Sequence, residues 1–422
     1  MMKRVEQCIA ALQQGKLNTA RRIMKAIKNK GSDLEKYSLA EQLHSLGFLN
    51  FAETLYQDLL KKYPEEGELL IALAETYIDM DRTDEALLLL EKITPDDPVY
   101  VQALLLLADL YQLQGLYEVS EEKLKEAEKL APDEIVIIFA QAELYNSLGR
   151  FAEAIYKYKQ VLKEAKEFAG VSIYERLAEC HAAMGEFEEA IPYYEKALDE
   201  KFDVDILFGL GFTAFQAGMY EVAIQRLTEV KELDPDYESC YLPLAESLDK
   251  EMEYEKAFEV AREGTEVNPF NKELHFFAGT MLMKLGKTQD AEEWFKKALE
   301  IDPDYMAAIL SLSKLYMDEE RYHDVIELVE PLLKEGEEDP QLLWDYAVSL
   351  QEEEMYSQAL NAYRRAYKYF KNNEGFLQNY GFFLLEEGIH DECIEVFNKL
   401  HQMDPTNIEY IDILERLKGD LG

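Results

Sequence analysis

The sequence has few cysteines. Four occur in 422 residues, and none belongs to a CxxC or a Cys/His motif; they are Cys8, Cys180, Cys240 and Cys393. This spacing argues against a disulfide framework and a zinc site. Isolated cysteine packs as a small apolar side chain, so structural roles in a reducing compartment are expected.

Long apolar runs are also missing. No stretch of 18 apolar residues occurs, and the N-terminal segment MMKRVEQCIAALQQGKLN has no apolar region of the kind found in a signal peptide. The sequence therefore predicts a cytoplasmic protein that does not insert into a membrane.

Positive charge is scarce. Lys and Arg number 44 against 85 Asp and Glu, which gives a net charge of -41. Such a surface repels nucleic acid and anionic membranes, so a basic protein partner is expected and nucleic acid is not. The alternative is that the acids only solvate helix faces.

Catalytic signatures are absent as well. The sequence has no Walker A, GxGxxG, GxSxG or HExxH motif, and its six histidines are never paired at ligand spacing. We therefore expect no enzyme activity, no cofactor and no metal site.

A repeat fills the chain instead. A turn residue recurs every 32 to 36 residues, most often every 34, at Gly15, Gly47, Asp81, Gly115, Gly149, Gly185, Gly218, Met252, Gly286, Glu320, Glu354 and Gly388. Small residues lie seven before and five after most turns, as at Ala40 and Ala52, and proline lies seventeen after seven of them, as at Pro64. Apolar residues recur at helical spacing between these points, so each unit is predicted to be helix A, a turn and helix B.

Segments such as NSLGRFAEAIYKYKQVL and MKLGKTQDAEEWFKKALEIDP resemble the tetratricopeptide repeat family. The resemblance implies an all-α, right-handed superhelical solenoid of about twelve helix pairs over residues 1–405, with a capping helix at about 406–420. Because each repeat buries its apolar face only against its neighbours, residues 1–422 are expected to form one continuous array. In its length and its uninterrupted array, the chain also resembles uncharacterised cytoplasmic proteins of this family from low-GC Gram-positive bacteria.

The period is irregular near residues 163–205, where one step is 36 residues and prolines are missing. This predicts a joint with a changed superhelical pitch, or simply longer helices. His181 stands in a slot that tyrosine fills in other repeats, so we expect it to be packed.

In this family helix A lines the concave surface, which implies that residues ten, six and three before each turn face inward. In the early repeats these slots hold an acidic ladder: Glu41, Glu75, Asp109, Glu143 and Glu179. In the later repeats they hold apolar residues: Phe208, Phe212, Phe215, Leu242, Phe276, Met283, Leu310, Met317, Trp344 and Phe382. A basic amphipathic protein segment would suit both sets. The alternatives are a solvated acidic face and aromatics that pack between repeats.

The N-terminus has the opposite charge. Residues 1–32 carry a net charge of +7, with Arg21, Arg22, Lys25 and Lys28 on the predicted second helix, and the remainder carries -48. This patch suits head-to-tail contact with another copy or an anionic partner, unless it is only a solvated capping helix.

Together these features predict an adaptor or scaffold that binds proteins or peptides in a concave groove. The alternative is a regulatory sensor that responds to a peptide, which would be expected to carry an extra effector segment.

Overall fold

The computed structural model describes residues 3–336 and 338–419, with only the backbone described for residues 418 and 419. Packing divides the chain into two units, Met1–Ile206 and Leu207–Gly422, and the boundary falls within one helix, α13. The two units are described in turn.

The first unit consists of six helix pairs and one short hairpin. Its helices are α1 Lys3–Gln13, α2 Leu17–Lys30, α3 Asp33–Ser45, α4 Leu49–Leu60, α5 Gly67–Ile78, α6 Thr83–Leu90, α7 Tyr100–Leu113, α8 Tyr117–Leu130, α9 Ile135–Ser147, α10 Phe151–Glu164, α11 Ile173–Ala183 and α12 Phe187–Glu200.

The second unit repeats this pattern and ends in a single helix. Its helices are α13 Val204–Gln216, α14 Tyr220–Leu233, α15 Tyr241–Lys250, α16 Tyr254–Val267, α17 Lys272–Lys284, α18 Thr288–Ile301, α19 Met306–Asp318, α20 Tyr322–Glu335, α21 Pro340–Glu352, α22 Tyr356–Tyr367, α23 Glu374–Glu386, α24 His390–Met403 and α25 Ile408–Gly419. A 3-10 turn, Glu238–Cys240, precedes α15. The all-α fold of tetratricopeptide helix pairs is thus confirmed.

The predicted turn residues all have the same backbone conformation. Each has a positive φ, between 56° and 77°, including the four that are not glycine: Asp81, Met252, Glu320 and Glu354. The left-handed turn closes helix A and starts helix B, and it sets the register of each pair.

Small side chains allow the two helices of a pair to approach closely. The twelve residues five positions after the turns are all completely buried. At Gly279, seven before its turn, an added Cβ would lie 2.7 Å from the Phe295 ring. A larger residue in these slots would push the helices apart.

The joint predicted near residues 163–205 contains a β-hairpin. Strands β1, Glu167–Phe168, and β2, Val171–Ser172, pair antiparallel, with Phe168 opposite Val171. Ala169 and Gly170 form the two-residue turn with φ of 51° and 81°, as such a hairpin requires. The expectation of longer helices here was wrong, because the extra residues extend this connection; the change of pitch stays a prediction.

The predicted capping helix is present as α25. The Asn407 side chain accepts a hydrogen bond from the backbone N–H of Glu409 at 3.0 Å, which caps its first turn. Tyr410, Leu414 and Leu417 are buried in the core of the second unit. The predicted last residue, 420, lies outside the described residues.

Among the described residues, no helix is both long and apolar enough to cross a bilayer. The four cysteines are buried and unpaired. Burial raises the pKa of the Cys180 thiol to about 12, so this sulfur stays protonated, and it donates a 3.3 Å hydrogen bond to the Asn146 side-chain oxygen.

Candidate functional site

The side of helix A that carries the slots three, six and ten before each turn is called here the helix-A face. In α17, Leu274 and Ala278 are buried in the core, whereas Phe276, Thr280 and Met283 on the helix-A face are half-buried. In this helix the slots chosen from the sequence therefore lie at the surface, and the positions between them that carry Leu274 and Ala278 lie in the core.

In the first unit the helix-A face contains an acidic hollow. It has a volume of about 430 Å³ and lies between α3, α5 and α7. Its carboxylates are Glu41, Glu68 and Glu75, and the rings of Tyr37 and Tyr56 form part of its wall. The hollow thus places several negative charges against an aromatic surface.

The carboxylates of the hollow lack cationic partners. Within residues 3–336 and 338–419, no Lys, Arg or His nitrogen lies within 4.0 Å of an oxygen of Glu41, Glu68 or Glu75. Glu75 accepts only a 3.3 Å hydrogen bond from the Gln102 amide. Burial raises the pKa of the Tyr37 hydroxyl, and the charges of Glu41 and Glu68 raise it further. The basic side chain in the lining is His44, whose Nε2 lies 2.8 Å from Asp79. The hollow therefore groups three carboxylates beside room for a further cation.

The next rung of the predicted ladder, Asp109, is also unpaired among the described residues. Its side chain is exposed, yet the surrounding protein displaces enough water to raise its pKa. A cation brought to this carboxylate would favour its charged form.

The last two rungs are already neutralised. Arg176 lies between them, with its Nε 3.3 Å from Glu143 and its Nη1 2.8 Å from Glu179. Glu143 also accepts a 2.5 Å hydrogen bond from Tyr158. Arg176 stands nine residues before its turn, one position away from the slot at ten, so the pattern of the three slots does not include it. The ladder is therefore open at Glu41, Glu75 and Asp109 only.

In the second unit the apolar slots begin with an aromatic triad, Phe208, Phe212 and Phe215. The ring centroids of Phe208 and Phe212 are 5.7 Å apart, and those of Phe212 and Phe215 are 6.1 Å apart. Phe212 keeps 38% of its surface exposed. Phe208 and Phe215 are half-buried and also pack on Tyr237 and Tyr220, with ring centroids 5.0 Å and 6.3 Å apart, so Phe212 is the exposed member of the triad.

Most of the other apolar residues pack against their own unit. Leu242 is half-buried, and six more lie half-buried against the core: Phe276, Met283, Leu310, Met317, Trp344 and Phe382. The ring of Trp344 is 5.3 Å from that of Phe370 and 5.5 Å from that of Phe376. These contacts favour the alternative that such aromatics hold repeats together.

The basic patch lies on α2. Arg21, Arg22 and Lys25 are exposed, and no carboxylate lies within 4.0 Å of them in the described part of the chain. Lys28 reaches Asp58 at 3.8 Å. His181 is buried as expected and stacks on Tyr193 at 5.5 Å.

A repeated ion pair joins neighbouring repeats and was not foreseen. An arginine directly after the turn reaches back 29 residues to a glutamate of the preceding helix B, in the pairs Arg82–Glu53, Arg150–Glu121 and Arg321–Glu292, at 2.7 to 2.8 Å. The guanidinium also covers a tyrosine ring of its own helix A, as at Tyr316, 4.3 Å away. Arg321 lowers the pKa of Glu292 to about 2. In the sequence, the sign of this ion pair is the arginine that directly follows the turn in these three repeats.

Family comparisons match most of the chain to tetratricopeptide repeats. Models described as YpiA-like tetratricopeptide repeats match residues 112–166 and, for the C-terminal repeats, 340–407. General tetratricopeptide models match 145–207, 242–305 and 282–343. A model for the ARM repeat of tetratricopeptide repeat protein 21 matches 2–116.

Among curated proteins, the TPR repeat-containing protein YpiA of Bacillus subtilis (strain 168) is 39% identical over 418 residues, which is 99% of each chain. DnaJ homolog subfamily C member 7 of Homo sapiens is 27% identical over 29% of this chain and 28% of its own length.

Two solved structures are similar in fold. The crystal structure of YrrB, a TPR protein with an unusual peptide-binding site, has 21% identity and a TM-score of 0.39, covering 44% of this chain and 95% of YrrB. The crystal structure of the APC/C hetero-tetramer Cut9-Hcn1 has 14% identity and a TM-score of 0.34, and the match covers 97% of this chain and 94% of that chain. Likeness at this level says nothing about what the present chain binds.

Proposed function

Because the chain belongs to the YpiA-like tetratricopeptide repeat family, we propose that it is a protein-binding adaptor or scaffold that recognises a basic amphipathic segment of its partner. The observation that carries this proposal is the acidic hollow of the first unit, which offers unpaired carboxylates beside aromatic walls.

An Arg or Lys side chain fits the chemistry of the hollow. Its aliphatic stem would lie along Tyr37 and Ile71, and its charged head would lie between Glu41 and Glu75. Charge-assisted hydrogen bonds of this kind are about twice as strong as neutral ones, and Arg can bind a carboxylate with two N–H groups. Asp109 would serve a second basic residue.

The second unit has its own candidate surface for an apolar side chain of a partner. The aromatic triad exposes Phe212, and a large apolar side chain packed on it would lose water-accessible area on both partners. Trp344 and Phe276 are weaker candidates for direct contact because they already pack on their own unit.

The four buried, unpaired thiols fit a reducing compartment and motivate the proposal that the protein works in the cytoplasm. No part of the site suggests a reaction, so binding rather than catalysis is proposed.

The test uses a 15-residue peptide with Arg on one helical face and Leu on the other, and the paired variant Glu41→Gln/Glu75→Gln. The dissociation constant, measured by calorimetry, should rise at least tenfold, since two charge-assisted contacts lose their charge. Glu118→Gln/Glu122→Gln is the matched control, because these exposed acids of α8 make no ion pair among the described residues.

The proposal fails if the control weakens binding as much as the hollow variant, which would mean that only the net charge of the chain attracts the peptide. It also fails if the peptide does not bind to the unmodified protein.

A further inference from the structure

The first unit has a second surface, of opposite charge, between the helices α2 and α4. A cleft there is lined by Met24, Lys25, Lys28, Leu43, Phe51 and Leu55, with a volume of about 140 Å³. Met24, Leu43 and Leu55 are almost fully buried, so its floor is apolar. Phe51, 37% exposed, stands at the rim.

The size of the cleft matches a single large apolar side chain. An engineered protein cavity of about 150 Å³ with apolar walls stays dry and binds benzene. A Phe or Leu side chain of a partner is therefore a suitable occupant, whereas a bare ion or a sugar is not.

The α2 side of this cleft is basic. Arg21, Lys25 and Lys28 are spaced four and three residues apart, which places them on one face of α2, and Arg22 lies one turn from Lys25. Lys28 is partly held by Asp58 across the cleft, at 3.8 Å. Arg21, Arg22 and Lys25 have no carboxylate within 4.0 Å among the described residues.

Unpaired arginine is unusual in this acidic chain. Nine of the twelve arginines have a carboxylate within 4.0 Å: Arg4, Arg82, Arg150, Arg176, Arg226, Arg262, Arg321, Arg364 and Arg365. Besides Arg21 and Arg22, Arg416 alone makes no such pair among the described residues. With 85 acids available, the adjacent pair Arg21 and Arg22 nevertheless stays free. The local charge around the cleft is thus available to an outside partner.

We propose that this basic cleft is a second docking surface, for an acidic segment of another protein that inserts one large apolar side chain. Carboxylates on either side of that side chain would pair with Arg21, Arg22 and Lys25. The apolar floor favours protein over a polyanion such as DNA, which the net charge of -41 also repels. The chain would then bind a basic partner at the hollow and an acidic partner at the cleft.

The probe is a 13-residue peptide of Glu and Asp with a central Phe, labelled for fluorescence anisotropy and added to the full chain. We expect saturable binding that weakens strongly between 50 and 300 mM salt, as ion pairs require. Replacing the Phe of the peptide by Ala should weaken binding at least tenfold, and this comparison leaves the protein unchanged.

Two protein variants locate the surface. Arg21→Glu/Lys25→Glu should weaken binding at least tenfold, whereas Lys287→Glu/Lys371→Glu should not, although it changes the net charge equally. The control lysines are exposed and make no ion pair among the described residues. Phe51→Ala should also weaken binding, and thermal melts verify that each variant is folded.

Four results would overturn the proposal. They are no binding, equal binding of the Phe and Ala peptides, equal loss in the control variant, and tighter binding to anionic vesicles or duplex DNA than to the peptide. Concentration-dependent dimerisation that the Arg21→Glu/Lys25→Glu variant abolishes would assign the cleft to a second copy of the chain instead. Because the peptide is acidic, failure here leaves the proposal for the acidic hollow untouched.

Discussion

At the scale of single residues, the backbone of the turn between helix A and helix B is tightly constrained. A side chain in the left-handed region costs roughly 1–2 kcal/mol, and only glycine avoids this cost. Met252, with φ of 58° and 74% exposure, occupies such a turn without packing its side chain into the core.

Met252→Gly should therefore raise the free energy of unfolding by up to about 1 kcal/mol, the relief of strain less the added freedom of the unfolded chain. The reverse change at an equivalent turn, Gly286→Ala, should lower it by about 1 kcal/mol. Urea unfolding measures both. A loss of stability in Met252→Gly would show that the exposed side chain contributes more than the turn geometry.

A second residue under constraint is Asp345, which is buried between α19 and α21. Its carboxylate accepts 2.7 Å hydrogen bonds from Ser313 and Gln341, and no cation neutralises it among the described residues. Burial raises its pKa. The folded chain therefore binds this proton at a higher pH than the unfolded chain. As a result, the free energy of unfolding should fall as the pH rises from the carboxyl pKa of the unfolded chain past that of the folded chain.

Asp345→Asn removes the buried charge while keeping a hydrogen-bonding group for both neighbours. The variant should be more stable than the parent at pH 7, by on the order of 1 kcal/mol, and the difference should shrink as the pH falls and the parent carboxyl becomes protonated. Asp290→Asn, at an exposed site of α18, should show no such pH dependence. A parent advantage at pH 7 would mean that the ionised form is favoured.

At the scale of the elements, the arginine after the turn joins one repeat to the next. Arg321 reaches Glu292 of α18 and also Asp324, whose oxygen lies 2.6 Å from its Nε. Glu292 has its pKa lowered to about 2, chiefly by Arg321, so the pair stabilises the fold above the ordinary pKa of glutamate and loses this effect as pH falls towards 2.

Arg321→Met keeps the aliphatic stem but removes the charge. It should lower the free energy of unfolding by about 1–2 kcal/mol at pH 7, and the loss should shrink below pH 4. Lys334→Met, which removes an exposed lysine paired with Glu330 of the same helix, should cost less than about 0.5 kcal/mol. Equal effects for both changes would mean that the contact between repeats adds nothing to an ordinary surface ion pair.

The elements also show what sequence could predict and what it could not. The left-handed turns, the small slots and the half-exposed helix-A face follow from a 34-residue period, because each slot meets the same environment in every repeat. The period could not predict Arg176, because this arginine occurs at its position in a single repeat. It could not predict the hairpin either, because the hairpin fills an irregular connection. Whether Trp344 faces a ligand or Phe376 depends on packing across a loop, which spacing alone cannot reveal.

At the scale of the whole molecule, a strongly acidic chain carries two surfaces with different chemistry in its first unit. Among the described residues, no Lys or Arg pairs with the carboxylates of the acidic hollow, and of the basic side chains at the cleft Lys28 alone has a carboxylate within 4.0 Å. Each surface places unpaired charges beside apolar side chains. Such a surface attracts an oppositely charged partner from a distance and buries apolar area when that partner binds. That residues 1–422 form one uninterrupted array stays a prediction.

The central claim is that the hollow binds a basic segment of a partner protein. Site-specific photo-crosslinking is its most direct test. Benzoylphenylalanine replaces Gln102, which is exposed and lines the hollow, or Tyr156, 65% exposed on α10, as the control. In the native cell, position 102 should capture a defined protein through a segment rich in Lys and Arg, and Glu41→Gln/Glu75→Gln should abolish the product. Capture of the same segment from position 156 only, or of acidic segments from position 102, would contradict the account.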